Sequence, residues 1–176
     1  WKRCQSVQGY FGRNEAKIKE IAAVARRVAL GADHGGFELK EMLTPFLKSK
    51  GYAVKDFGAF SKESCDYPVY SFATAEAVAS GEFDHGVLIC RSGIGMAICA
   101  NKVPGIRAGC CENVIQARLA RQHNDANVLV LAGDYITNEI AREVLMTFLE
   151  TSFEGGRHLR RVKLINDYDG KRKPHR

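Results

Sequence analysis

The stretch Gly86-Val87-Leu88-Ile89-Cys90-Arg91-Ser92-Gly93-Ile94-Gly95-Met96 decides what kind of sheet this chain can build. Val87, Leu88 and Ile89 form an uninterrupted apolar run, as expected of a central strand in a parallel sheet covered on both faces. Ser92, Gly93 and Gly95 let the backbone turn tightly into a helical run from Met96 to Ala100. Successive N–H groups then converge at the positive end of a helix dipole, which suits an anion. Cys90, at the carboxyl end of the strand, falls beside that turn in a field that favours a thiolate. Each feature has a plainer counterpart: a lone cysteine in an apolar strand is more often a small core residue, and a short glycine turn more often only a connector. Their adjacency is what points to chemistry.

Outward from this centre, short apolar runs alternate with helical periodicity. Upstream, Val28–Ala32 reads as a strand that delivers Asp33-His34-Gly35-Gly36 to a helix with Phe37, Leu39, Met42, Leu43, Phe46 and Leu47 on its apolar face. Pro45 is expected to kink that helix or end it early, and Gly51 to stop it. A second strand is expected over Ala53–Phe57, a polar loop over Ser61–Pro68 and a helix over Val69–Ser80. Downstream, the expected elements are a strand over Ile106–Cys110, a helix over Val114–Gln122 ending at His123-Asn124-Asp125, and a fifth strand over Val128–Ala132. Thr137 is placed to cap a helix with core positions Ile140, Ala141, Val144, Leu145, Phe148 and Leu149. The pattern predicts an α/β fold, a Rossmann-like three-layer sandwich with a five-stranded parallel sheet. Ligands of such sheets bind beyond the carboxyl ends of the strands. Asp33-His34, Cys90 with its turn, and the Cys110–Asn113 loop should therefore share one edge.

The chain of 176 residues, 45% hydrophobic and 26% charged, suits one well-buried domain. We divide it into an N-terminal extension (1–26, with a helix expected over Glu15–Arg27), a domain (27–166) and a flexible basic tail (167–176). Much of the net charge of +6 comes from the ends, through Lys2, Arg3, Lys171, Arg172, Lys173 and Arg176, so a nucleic-acid partner is not expected. Six cysteines (Cys4, Cys65, Cys90, Cys99, Cys110, Cys111) without a CxxC pair suit reduced thiols, and five scattered histidines argue against a metal site. Apolar runs fall short of the roughly 18 residues a membrane span needs, and the basic, polar start lacks a signal-peptide core. The expectation is a cytoplasmic protein with no membrane partner.

Near the end, Arg157 and Arg161 are four apart, so on a helix starting after Gly156 they share a face and can grip one anion, or belong to a solvated surface. Asp33 has the alternative of a helix cap, and His123 that of a partner to a helix C-terminus.

From about Val28 to Ile165 the chain resembles type B ribose-5-phosphate isomerases and the related galactose-6-phosphate isomerase subunits. Seven ordered stretches carry the likeness: Gly31–Gly36 (GADHGG), Asp66-Tyr67-Pro68, Ile89–Gly95 (ICRSGIG), Ala100-Asn101-Lys102, Gly105–Ala108 (GIRA), Arg121–Asp125 (RQHND) and Glu154–His158 (EGGRH). The resemblance implies cofactor-free interconversion of ribose 5-phosphate and ribulose 5-phosphate through an enediolate. It assigns ring opening to His123, with Asp33 assisting at the hydroxyls, the phosphate clamp to His34, Arg157 and Arg161, and pocket lining to Tyr67 and Asn124. It also implies a homodimer, with a tetramer as the larger alternative, whose subunits share sites through the histidine or the arginine-bearing segment.

The residues fit that chemistry. Cys90 can remove the proton beside a carbonyl and return it to the neighbouring carbon. The backbone N–H groups of Ser92, Gly93, Ile94 and Gly95 can form an oxyanion hole for the enediolate. Two departures stand out. Arg91 occupies a position where many family members carry glycine; it could lower the thiolate pKa, bind a substrate group or point to solvent. A subgroup uses a glutamate after the glycine turn as base, and that position is Met96 here, leaving Cys90. Alternatives are an isomerase of a six-carbon or modified aldose phosphate, and a nonenzymatic phosphosugar-binding sensor. A nucleotide-binding domain is disfavoured, because the first strand leads to DHGG without GxGxxG spacing.

Overall fold

A computed structural model describes residues 26–171. In chain order the elements are β1 (Arg27–Ala32), α1 (Phe37–Ser49), β2 (Ala53–Asp56), α2 (Tyr67–Ala79), β3 (His85–Cys90), α3 (Ile94–Ala100), β4 (Ala108–Cys110), α4 (Val114–Asn124), β5 (Val128–Ala132), α5 (Asn138–Glu150) and α6 (Arg157–Asp169). The five strands pair in parallel in the order β2-β1-β3-β5-β4, as the alternating pattern predicts. The chain runs outward from β1 to β2 on one side and continues through β3 on the other. Strand order therefore reverses between β1 and β3, and a crevice opens beyond their carboxyl ends.

The focal strand is covered on both faces because its alternate side chains feed two separate cores. Val87 and Ile89 pack with Leu39, Leu43 and Leu47 of α1 and with Val144, Leu145 and Phe148 of α5. Leu88 and Cys90 face the other way, toward Ala75 and Val78 of α2, Met96 and Ala100 of α3, and Val130. Lys40 is fully buried, paired with Asp56 at the end of β2 and with Glu41, its ammonium 5.5 Å from the ring centres of Phe37 and Phe60. A buried lysine persists when its charge is met in this way.

Several boundaries differ from expectation. α1 runs on through Pro45 to Ser49; the flanking Leu43 and Leu47 are fully buried, and that packing outweighs the single backbone bond the ring removes. Ile140, expected in the core, is 41% exposed on the first turn of α5. Pairing in β4 starts at Ala108, not Ile106, because the Ile106 N–H turns back to the Val103 carbonyl. Residues 167–169, expected in a tail, are helical instead: α6 extends to Asp169, stitched by Lys163–Asp167 and by the Gly105 N–H donating to the Asp169 carboxylate. The helix expected over Glu15–Arg27 lies outside the described residues except at its end, where Arg27 already pairs with Ala53 in β1. Cys4 and residues 172–176 also lie outside them. No described helix is long and apolar enough to cross a membrane.

Candidate active site

β1 delivers Asp33 and His34 to the crevice, and the turn that follows sits directly on β3. The Asp33 N–H donates to the Ile89 carbonyl at 3.2 Å. A side chain on Gly36 would place its Cβ 2.4 Å from the Ile89 carbonyl oxygen, so only glycine allows this approach. The buried Asp33 does not cap α1 at the N-cap position, which Gly36 fills. Its Oδ1 instead accepts from the N–H groups of Gly35 (2.9 Å) and Gly36 (3.0 Å), closing the turn. His34 Nδ1 accepts from the Cys65 N–H at 3.3 Å. A backbone N–H can only donate, so the neutral imidazole carries its proton on Nε2.

Cys90 ends β3 opposite Ala132 and is 5% exposed. The Gly93 N–H donates to its Sγ at 3.2 Å, so the glycine turn wraps the sulfur. Gly93 has φ 73°, a left-handed conformation that releases the chain into α3 without strain. The first intrahelical bond is Ala97 N–H to the Gly93 carbonyl, which leaves the N–H groups of Ile94, Gly95 and Met96 ahead of the ladder. Tyr67, 41% exposed at the start of α2, lays its ring against Gly95. Arg91 runs its stem across Gly35 and pairs with Asp134 at 3.2 Å. The Arg91 side chain nevertheless stays 66% exposed, so it points largely to solvent while its stem rims the crevice. Asp33, His34, Tyr67, Cys90, Arg91, Ser92, Gly93, Ile94 and Gly95 all belong to one edge. Cys110 joins them: its Sγ lies 2.7 Å from where a Cβ on Gly93 would be, and partial burial pushes its thiol pKa up, with Glu112 and Cys90 adding to the effect.

His123, Asn124, Arg157 and Arg161 do not share that edge. α4 enters the sheet through β5, so its C-terminus meets the amino end of that strand, whereas Cys90 pairs with the carboxyl end. Four residue steps along β5 separate the two levels by about 13 Å. The segment is held firmly. Arg107 donates to the carbonyls of Asn124 and Asp125 and to the Asp125 carboxylate, Arg121 pairs with Asp125 at 2.8 Å, and Asp125 turns the chain at φ 45°. Asn124 also borders a cleft of about 300 Å³ with Asn101, Ile106, Arg107 and Ile165.

Here the structure adds two residues that the sequence reading did not single out. His123 and His158 stack with ring centres 4.2 Å apart and planes 9° from parallel. Glu154 Oε2 lies 3.6 Å from His123 Nε2 and 3.7 Å from His158 Nε2, and Arg157 Nε donates to His158 Nε2 at 3.3 Å. Burial pushes His158 below the ordinary histidine range; His123, Arg157 and Arg161 act the same way and Glu154 opposes them. His123, Glu154 and His158 are also the one group of metal-ligating side chains among the described residues that lies within 4.8 Å, although the histidines look scattered in sequence. Their parallel rings aim lone pairs side by side instead of at one point, and the Arg157 N–H already occupies one of them.

A sequence profile of the family described as Ribose/Galactose Isomerase matches residues 28–165. Ribose-5-phosphate isomerase B of Escherichia coli (strain K12) is 43% identical over 147 residues, covering 84% of this chain and 99% of that protein. D-erythrulose-4-phosphate isomerase of Pectobacterium atrosepticum is 37% identical over 147 residues, covering 83% of this chain and 97% of that protein. Among solved structures, ribose-5-phosphate isomerase B of Clostridium thermocellum superposes with a TM-score of 0.81 at 47% identity, covering 82% of this chain and 98% of that one. A likeness of this extent, carried by both sequence and fold, makes the chain a member of the Ribose/Galactose Isomerase family.

Proposed function

We propose that the protein interconverts ribose 5-phosphate and ribulose 5-phosphate, with Cys90 as the base, in sites completed by a second copy of the chain. The observation that carries this is the Gly93 N–H at 3.2 Å from Cys90 Sγ: it sets the sulfur beside a turn whose next amides precede the α3 ladder. In an aldose–ketose exchange the C2 proton moves to C1 and a hydroxyl proton moves from O2 to O1. Cys90 takes and returns the carbon-bound proton, and the amides of Ser92–Gly95 hold the enediolate oxygen. Asp33 uses Oδ1 to close its own turn and offers its second oxygen to the sugar hydroxyls. His34 presents its Nε2–H to the phosphate.

Ring opening needs a further acid–base group, since Cys90, Asp33 and His34 already serve as base, hydroxyl partner and phosphate contact, and the family resemblance gives it to His123. His123 of the second copy fills that role, bringing Asn124, Arg157 and Arg161 with it, so that the arginines close on the phosphate. In this reading a homodimer is the smallest active species. The protein is expected to act in the cytoplasm without a cofactor.

Replacing Cys90 with Ala tests the chemistry. Turnover of ribose 5-phosphate should fall on the order of 1000-fold with phosphosugar binding retained; unchanged turnover refutes Cys90 as the base, and a wild-type protein that binds without turnover favours a sensor. A second reading, the same chemistry on an aldose phosphate of different length, is favoured by Arg91, whose stem and ion pair reshape the crevice rim. Relative kcat/KM on four-, five- and six-carbon aldose phosphates separates the two.

A further inference from the structure

The cluster behind His123 carries more than its membership of the family. Arg157 Nε can only donate, so the 3.3 Å contact makes His158 Nε2 an acceptor and leaves the proton of the neutral ring on Nδ1. The carboxylate of Glu154, 3.7 Å from that nitrogen, therefore faces a lone pair there and gains nothing from it. On the other side the same oxygen faces His123 Nε2 at 3.6 Å, which holds a proton whenever His123 is charged. His158 is 3% exposed, so it forms a fixed floor under the half-exposed His123 ring. The loop bearing Glu154 is tied to the same helix end by the Glu154 N–H donating to the Gln122 carbonyl at 3.1 Å. Two elements thus converge on one imidazole, one fixing its plane and one presenting a charge to a chosen nitrogen.

We propose that Glu154 and His158 are positioning residues for His123: His158 holds the ring flat by stacking, and Glu154 presents its carboxylate to Nε2, stabilising the imidazolium and leaving Nδ1 to face the sugar. This rests on the assignment of ring opening to His123. The titratable and charged groups around the stacked rings are Glu154 in the loop, Arg157, His158 and Arg161 on α6, and the Arg121–Asp125 pair that flanks His123 on α4. Glu154 is the acidic member that faces Nε2, so its removal exposes His123 to the surrounding cations.

The test is NMR titration of the imidazole signals of the full-length protein labelled in its histidines, with His123 assigned by its substitution. Glu154→Gln is safe for folding because the side chain is 56% exposed. It should lower the His123 midpoint by about half to one pH unit, and the limb of the kcat/KM profile that His123 carries should move with it. Glu154→Asp should restore part of the shift, and His158→Phe should keep the stack where His158→Ala loses it. A His123 midpoint unchanged in Glu154→Gln overturns the proposal. Full activity in His123→Asn would instead refute the ring-opening assignment, and the titration would still report whether Glu154 governs the ring.

Discussion

If Cys90 and His123 of one chain sit at opposite ends of β5, two differently crippled chains should repair each other. Cys90→Ala and His123→Asn would each leave every site of a homodimer defective. In a mixed dimer the shared-site arrangement gathers both substitutions into one site and leaves the other intact. Random exchange of equal amounts makes half of all dimers mixed, so about a quarter of wild-type activity should return, with the wild-type KM. The structural basis is the separation of about 13 Å along β5, together with the clamps of Arg107 and Arg121 that keep His123 from crossing it. The assay mixes the purified variants, lets subunits exchange under mild denaturant, dilutes back, and follows isomerisation against time. A mixture no more active than its components, with exchange confirmed by mass-tagged subunits, would refute the shared site. Activity near one half would mean that mixed dimers regain both sites, which this geometry forbids.

Three further outcomes follow from the coordinates. His85 is partly buried, its inaccessible Nδ1 without a hydrogen-bond partner, and desolvation chiefly holds it down to about 4 from 6.5. The unfolded chain therefore binds the extra proton first. His85 contributes stability that is present above pH 6.5 and lost as the pH falls toward 4, up to about 3 kcal/mol; urea melts of His85→Phe should lack that share of the acid decline. Gly36→Ala drives a methyl into the Ile89 carbonyl at 2.4 Å and should cost about 2–4 kcal/mol in the same melts. The Arg91–Asp134 pair is largely exposed, so Arg91→Gly should change stability by less than about 1 kcal/mol; KM for the sugar phosphate should rise several-fold, and an unchanged KM would remove Arg91 from the site.

Much of the framework was readable from residue order. The apolar run Val87–Ile89 announced a strand covered on both faces, and the glycine turn after Cys90 announced a wrapped sulfur. The parting of His123 from Cys90 was also readable, because a helix placed between two parallel strands ends at the amino edge of the second. The intent of the final segment was only half visible. Arg157 and Arg161 drew notice by their spacing, yet Glu154 and His158 share that same four-residue spacing and meet His123 only through tertiary packing. Pro45 and Ile140 misled for the same kind of reason: local preference does not report how much burial on neighbouring positions can offset, nor which turn of an amphipathic helix rises above its core.

The alternation along β3 has a consequence for how this protein can change over time. Cys90 shares its side of the sheet with Leu88 and Val130, while Val87 and Ile89 belong to the layer under α1 and α5. Substitutions that repack the α1/α5 layer reach the sulfur only through the strand backbone. That half of the interior can drift toward greater heat resistance while Cys90 Sγ keeps its surroundings. Changes beneath α2 and α3 have less freedom, because Cys90 packs in that cluster with Leu88, Met96 and Val130.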